Sequence, residues 1–152
     1  MILVPTKIRF IVESTETDYM GLTTGSKKIT EDGYYNRATV RLNLNSINGE
    51  DSRFDCEEEG VISIGVHESI HVTDTEQINI DRNRDFAAEE KDHSLYWINE
   101  EKPMNAEYNA RSEYRDQMQM ENTQWKVIYE SDHDSKGCSK PVFDGVGSLV
   151  HE

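Results

Sequence analysis

The segment Val66-His67-Glu68-Ser69-Ile70-His71 decides the fold that we expect, because it joins a helical pattern to three chemically active side chains. Residues four apart lie on one face of a helix, so His67 and His71 can point at the same ion. Zinc accepts imidazole nitrogens readily, and a catalytic zinc site takes three protein ligands and leaves one position for water. The segment therefore predicts a zinc-binding helix.

Glu68 gives this helix a candidate general base. It follows the first histidine directly, so its carboxylate can take a proton from a water that zinc activates and later pass it to a leaving amine. Zinc lowers the pKa of such a water to about 7, so a carboxylate is a sufficient base. The pattern predicts metal-dependent hydrolysis; the alternative interpretation is a helix with two surface histidines.

The third ligand separates the classes of zinc hydrolase that share this pattern. A metzincin would carry a glycine and a third histidine where this chain has Asp74 and Gln77, which excludes that class. A gluzincin takes a glutamate from a second helix downstream, with a small residue or Asp about one turn later. Glu107 and Ala110 fit that arrangement, so Glu107 is the predicted third ligand, and Glu113 is the alternative.

Other side chains are candidates for supporting roles. Arg111, one turn after Glu107, could orient that carboxylate or bind a substrate carbonyl. Tyr114 lies two turns after Glu107 on the same face and could stabilise the oxyanion of the tetrahedral intermediate, as His133 could instead. Asp74 could accept a hydrogen bond from the second histidine. Surface solvation of Asp74, Arg111 and His133, and core packing of Tyr114, are the simpler interpretations.

The rest of the chain predicts an α+β fold in a single domain, residues 1–152. We expect a small antiparallel or mixed sheet packed against the active-site helix and a second, ligand-bearing helix, as in zincins. The predicted elements are strands at 7–13, 37–45 and 124–130, helices at 60–81 and 105–120, and a loop or flap with one short helix at 81–102. Along the first helix, Ile62, Val66 and Ile70 form the apolar stripe. Residues 39–43 are expected to form an edge strand along which a peptide substrate pairs.

The net charge of −14 restricts the partners that we expect. Nucleic acids and anionic membranes both attract basic surfaces, so neither is an expected partner. No apolar run reaches the length of a membrane helix, and the first residues do not form a signal peptide. We therefore expect a protein that is cytoplasmic or is exported by a signal-peptide-independent route. Cys56 and Cys138 could form one disulfide or be two free thiols, and we favour free thiols.

The segments 66–74 and 105–111, with the strand before them, resemble the short gluzincin metallopeptidases found as bacterial toxin or effector domains, including those of Rhs-type toxins. The resemblance covers about residues 37–120. It implies zinc bound by His67, His71 and Glu107, Glu68 as base, a protein or peptide substrate, and a cognate immunity or inhibitor protein. The competing hypothesis is an acidic, non-catalytic partner-binding or inhibitor protein with an incidental or structural metal site.

Overall fold

A computed structural model describes residues 7–125 of the 152-residue chain, and the side chains of residues 7–118. Within this range the protein is α+β, as predicted. The strands are β1 (Lys7–Glu13), β2 (Gly21–Gly25) and β3 (Arg37–Asn43). The helices are α1 (Leu44–Ile47), α2 (Glu57–Thr73), α3 (Thr75–Arg82), α4 (Phe86–Lys91), α5 (His93–Asn99) and α6 (Glu101–Trp125).

The three strands form one mixed sheet in the order β1-β3-β2. β1 runs parallel to β3, and β2 runs antiparallel to it. The prediction that residues 39–43 form a free edge strand is therefore wrong, because β3 is hydrogen-bonded on both sides. The sheet edge nearest α2 is β2, which is not among the predicted strands.

The core lies between the central strand and α2. Alternate residues of β3 point to one face of a strand, and there Val40 and Leu42 are buried. Ile64 and Val72 of α2 and Ile78 of α3 pack against them. This packing of helices against one face of the sheet sets the position of α2 relative to β2.

The predicted helix at 60–81 is two helices with a break at Asp74. Asp74 has an extended backbone, and its carboxylate accepts a hydrogen bond from the backbone N–H of Gln77, which begins α3. The predicted apolar stripe is not the buried face: Ile62 is exposed, while Ser63, His67 and Glu68 are buried. Burying polar groups costs free energy unless they are paired, so the buried face of α2, which also carries Ile64 and Val72, must supply partners for His67 and Glu68.

The α6 helix lies antiparallel to α2, since Glu107 contacts His67 and Arg115 contacts Glu59. It begins at residue 101 and runs to residue 125, so it takes in the start of the strand predicted at 124–130; the rest of that strand lies outside the described residues. Among residues 7–125, no helix has both the length and the apolar character needed to cross a bilayer.

The segment at 81–102, predicted as a loop or flap with one short helix, contains two short helices between the end of α3 and the start of α6. An aspartate caps each of them: Asp85 accepts a hydrogen bond from the N–H of Ala88, and Asp92 accepts one from the N–H of Ser94. Cys56, just before α2, is disulfide-bonded, so the expectation of a free thiol is wrong there. Cys138 lies outside the described residues.

Candidate metal centre

Three buried side chains meet between α2 and the junction of α5 with α6. Nε2 of His67 lies 2.9 Å from Oε1 of Glu100, and Nε2 of His71 lies 3.2 Å from the same oxygen. One potential ligand atom from each of the three residues falls within 4.8 Å of the others. Two imidazole nitrogens and a carboxylate oxygen form a donor set that binds divalent metal ions.

The second ring nitrogen of His67 is also held. Its Nδ1 lies 3.0 Å from Oε1 of Glu107 on α6. Arg53 in turn donates two hydrogen bonds to the Glu107 carboxylate, each 2.7 Å long. This chain fixes the orientation of the ring, since a carboxylate on Nδ1 leaves Nε2 as the nitrogen that faces Glu100.

His71 has a matching partner on α3. Its Nδ1 lies 2.6 Å from Oδ2 of Asp81, and Gln77 donates a hydrogen bond of 2.9 Å to the other carboxylate oxygen. Both histidines therefore have a carboxylate on Nδ1 and share Glu100 on Nε2. Ligand histidines of metal sites characteristically have such carboxylates on the nitrogen that does not face the metal.

The remaining oxygen of Glu100 is bound by a buried arginine. Nη1 of Arg84 donates to Oε2 of Glu100 at 2.6 Å, which leaves Oε1 for the histidines. Nε of Arg84 also donates to Glu89, 3.0 Å away, so the guanidinium is held from two sides. A charged pair this deeply buried persists only when both partners are satisfied, and here they are.

These contacts change the pKa values of the cluster. Burial alone lowers the pKa of His67, but its hydrogen bonds to Glu100 and Glu107 outweigh burial and raise that pKa to about 9. Burial also lowers the pKa of His71, but hydrogen bonds to Asp81 and Glu100 raise it to about 10. Burial raises the pKa of Glu100, and the two histidines more than reverse this. The metal-free cluster thus holds two protons that a cation can replace.

Glu68 lies on the side of α2 that faces β2. Its Oε2 accepts a hydrogen bond of 2.5 Å from the hydroxyl of Thr23. Burial raises the pKa of the Glu68 carboxyl, and the bond from Thr23 counteracts part of that rise. Gly21 permits this close approach, because a Cβ there would lie 2.6 Å from Cγ2 of Ile64 and 2.7 Å from Cγ of Glu68.

A cavity of about 290 Å³ opens beside these groups. Glu68, His71 and Glu100 form its polar floor, and the phenol of Tyr96 reaches it from α5. Burial raises the pKa of Tyr96, as do the nearby carboxylates, so its hydroxyl keeps its proton at neutral pH. The cavity therefore combines a candidate metal site, a buried carboxylate and a neutral hydrogen-bond donor.

The structure brings together three of the predicted site residues, His67, Glu68 and His71. Glu107 is also close, but it contacts Nδ1 of His67 rather than the nitrogen facing the cluster, so its predicted role as third ligand does not fit this geometry. Glu113, the alternative ligand, is exposed on α6. The carboxylate that faces both Nε2 atoms is that of Glu100.

The predicted supporting residues lie elsewhere. The Tyr114 hydroxyl donates to Glu58, which is nine residues before His67 or about 13 Å along the helix, so it does not reach the cluster. Arg111 lies over the ring of Tyr108, 5.5 Å from its centroid, on the outer face of α6. Asp74 pairs with Lys102 rather than a histidine. His133 lies outside the described residues.

The spacing of Glu100 and Glu107 in the sequence could have indicated that Glu100 is a candidate ligand. Glu100 precedes Glu107 by seven residues, two helical turns, which places both carboxylates on the same side of α6 and its start. Either one could therefore meet α2. Comparisons with protein-family models, with curated proteins and with solved structures give no match.

Proposed function

We propose that this protein is a zinc-dependent hydrolase of peptide bonds, with His67, His71 and Glu100 as the metal ligands. The observation that carries the proposal is the convergence of both Nε2 atoms on one carboxylate oxygen, at 2.9 Å and 3.2 Å. A salt bridge with no further role needs only one of these histidines. Carboxylates on both Nδ1 atoms support the same conclusion.

The residues fit zinc. Ligand atoms about 2.0–2.2 Å from a tetrahedral zinc are about 3.3 Å apart, close to the separations in this cluster. The set of two histidines and one glutamate is one that catalytic zinc sites use, and the cavity leaves a side of the cluster open. When bound, zinc supplies a Lewis acid that polarises a carbonyl group and lowers the pKa of water.

The chain's own residues supply the proton transfers. Glu68 is placed to take a proton from the attacking water and to deliver it to the departing amine, and Thr23 holds its carboxylate in position. Tyr96, which lines the same cavity, replaces Tyr114 as the candidate donor to the oxyanion. Arg84 orients the Glu100 carboxylate through its hydrogen bond to Oε2.

The position of β2 supports a polypeptide as substrate. Within the described sheet β2 pairs only with β3, so its other edge offers main-chain N–H and C=O groups. Gly21, Leu22 and Thr23 of this strand line the cavity. An extended peptide paired with this edge would place its main chain beside Glu68.

The test measures metal content and peptide hydrolysis together. We expect about one zinc per chain in the parent, loss of zinc in Glu100→Gln, and retention in Glu101→Gln, the exposed neighbour. The Glu68→Gln variant should keep zinc and lose hydrolysis of a peptide library by at least about a hundredfold, the range of general-base contributions. Zinc retained in Glu100→Gln would contradict the assignment of ligands.

One outcome would favour the competing function. If the parent binds zinc but cleaves no peptide in the library, an acidic binding protein with a structural metal becomes the better explanation. A role as a bacterial toxin or effector domain, with a cognate inhibitor protein, stays a prediction from the sequence.

A further inference from the structure

The rim of the cavity is apolar although its floor is charged. Phe86 of α4 and Tyr96 of α5 line it. Their exposed fractions are 68% and 38%, high values for large apolar side chains. The ring of Trp97, 56% exposed, lies edge-on against Tyr96 with the ring centroids 5.3 Å apart. We call these three residues the apolar wall.

Two side chains of the apolar wall pack against Arg84. The guanidinium of Arg84 lies 5.1 Å from the ring centroid of Phe86 and 5.7 Å from that of Tyr96. Arg84 itself is fixed by its ion pairs with Glu89 and Glu100. Because the same arginine holds a candidate metal ligand and two wall residues, the wall has a set place relative to the metal site.

Because the apolar wall lines the same cavity as Glu68 and Glu100, a molecule bound in that cavity also contacts the wall. Exposed apolar patches rimmed by polar residues mark binding sites, and this patch shares the cavity with Glu68 and Glu100. A molecule bound at the floor must therefore lie against Phe86 and Tyr96. The wall offers no charged group to a substrate, since the charges of Arg84 are already paired, so it suits an apolar side chain.

We infer that the apolar wall is a specificity pocket for a large apolar or aromatic side chain beside the cleaved bond of a peptide substrate. This inference rests on the proposed function and adds the substrate class to it. The peptide main chain pairs with the edge of β2, and the selected side chain packs against Phe86 of α4 and Tyr96 of α5. A small or charged side chain at that position leaves the wall exposed to water.

The first test uses zinc-loaded protein and two tripeptide hydroxamates that differ only in carrying phenylalanine or alanine. We expect the phenylalanine compound to bind at least about tenfold more tightly, because burial of the ring is favourable. Phe86→Ala should bring the ratio of the two dissociation constants toward one without loss of zinc. Phe10→Ala, which removes a ring 57% exposed on β1, is the matched control and should leave the ratio unchanged.

The second test does not depend on zinc. We expect the phenylalanine tripeptide amide, titrated into metal-free protein, to shift the backbone NMR signals of Leu22, Phe86 and Trp97, and the alanine peptide to shift them far less. Equal effects of both peptides, or shifts centred on another surface, would overturn the inference. So would self-association of the parent that Phe86→Ala abolishes, since a second copy would then cover the wall. Failure to bind zinc alongside selective shifts would count against the proposed function alone.

Discussion

The hydroxyl of Thr23 donates a 2.5 Å hydrogen bond to Oε2 of Glu68, which joins the edge strand to the helix that carries both histidines. The same hydroxyl lies 3.3 Å from the backbone carbonyl oxygen of Glu68. Thr23 therefore fixes both the position and the ionisation of the candidate base.

Replacing Thr23 by valine tests this relationship. Valine keeps the shape but removes the bond that lowers the pKa of Glu68, so that pKa rises further. Because the base works in its ionised form, the acid limb of the profile of kcat/KM against pH should move to higher pH. Loss of a hydrogen bond to a charged group should lower kcat/KM at neutral pH about tenfold or more. Thr24→Val, on the exposed face of β2, is the control, and an equal effect there would contradict the role of Thr23.

The chain from Arg53 through Glu107 to His67 predicts a graded effect on metal binding. Glu107→Gln keeps a hydrogen-bond acceptor for Nδ1 of His67 but removes the charge, so zinc should bind about 10- to 100-fold more weakly without being lost. Competition with a chelator of known affinity measures this. Complete loss of zinc, equal to that in Glu100→Gln, would restore Glu107 as a direct ligand.

The raised pKa values of the histidines predict proton release when zinc binds. With pKa values of about 9 for His67 and about 10 for His71, both rings are protonated at neutral pH in the metal-free protein. Zinc binds the neutral ring, so binding at pH 7 should release about two protons, and zinc affinity should rise as pH increases toward 9. Calorimetry in buffers of different ionisation enthalpy counts these protons. Zinc binding without proton release would contradict the ion-paired state described above.

The close approach of β2 to α2 predicts opposite effects for two glycine substitutions. Gly21→Ala places a methyl group against Ile64 and Glu68, so it should destabilise the fold by about 1–3 kcal/mol and disturb the base. Gly65→Ala lies within α2 with no atom within 4 Å of its added Cβ, so it should stabilise the protein by about 0.5–1 kcal/mol. Denaturant unfolding measures both, and destabilisation of equal size at the two positions would contradict the contact at Gly21.

Periodicity and motif spacing predicted the parts of the fold that depend on local sequence. The alternation in β1 and β3 and the His-Glu-x-x-His spacing are local patterns, and the elements containing them formed where expected. The prediction of an edge strand at residues 39–43 was wrong because strand pairing is non-local, and the sequence of these residues does not indicate that β3 pairs on both sides. β2 was not predicted because glycine and threonine give a weak strand signal. The glycine at position 21 is explained by the close contact of β2 with α2.

Two of the three candidate metal ligands could be predicted from the sequence, and the third could not, for a related reason. His67 and His71 are tied by helix geometry, whereas the third carboxylate depends on how two helices dock. Glu100 and Glu107 lie two turns apart, and the choice between them depends on which nitrogen of His67 each one meets. The buried side of α2 was predicted wrongly because hydrophobicity was taken as the guide to burial, whereas polar side chains such as His67 and Glu68 are also buried there.

Glu100 lies at the junction of α5 and α6, 29 residues after His71 in the chain. An ion held by both would act as a removable crosslink that closes the loop containing α3, α4 and α5, and loop closure of this kind restricts the unfolded chain more than the folded one. The segment that carries the apolar wall is thereby tied to the same ion that would carry out the chemistry. Chelation would therefore remove this crosslink and disable hydrolysis in a single step.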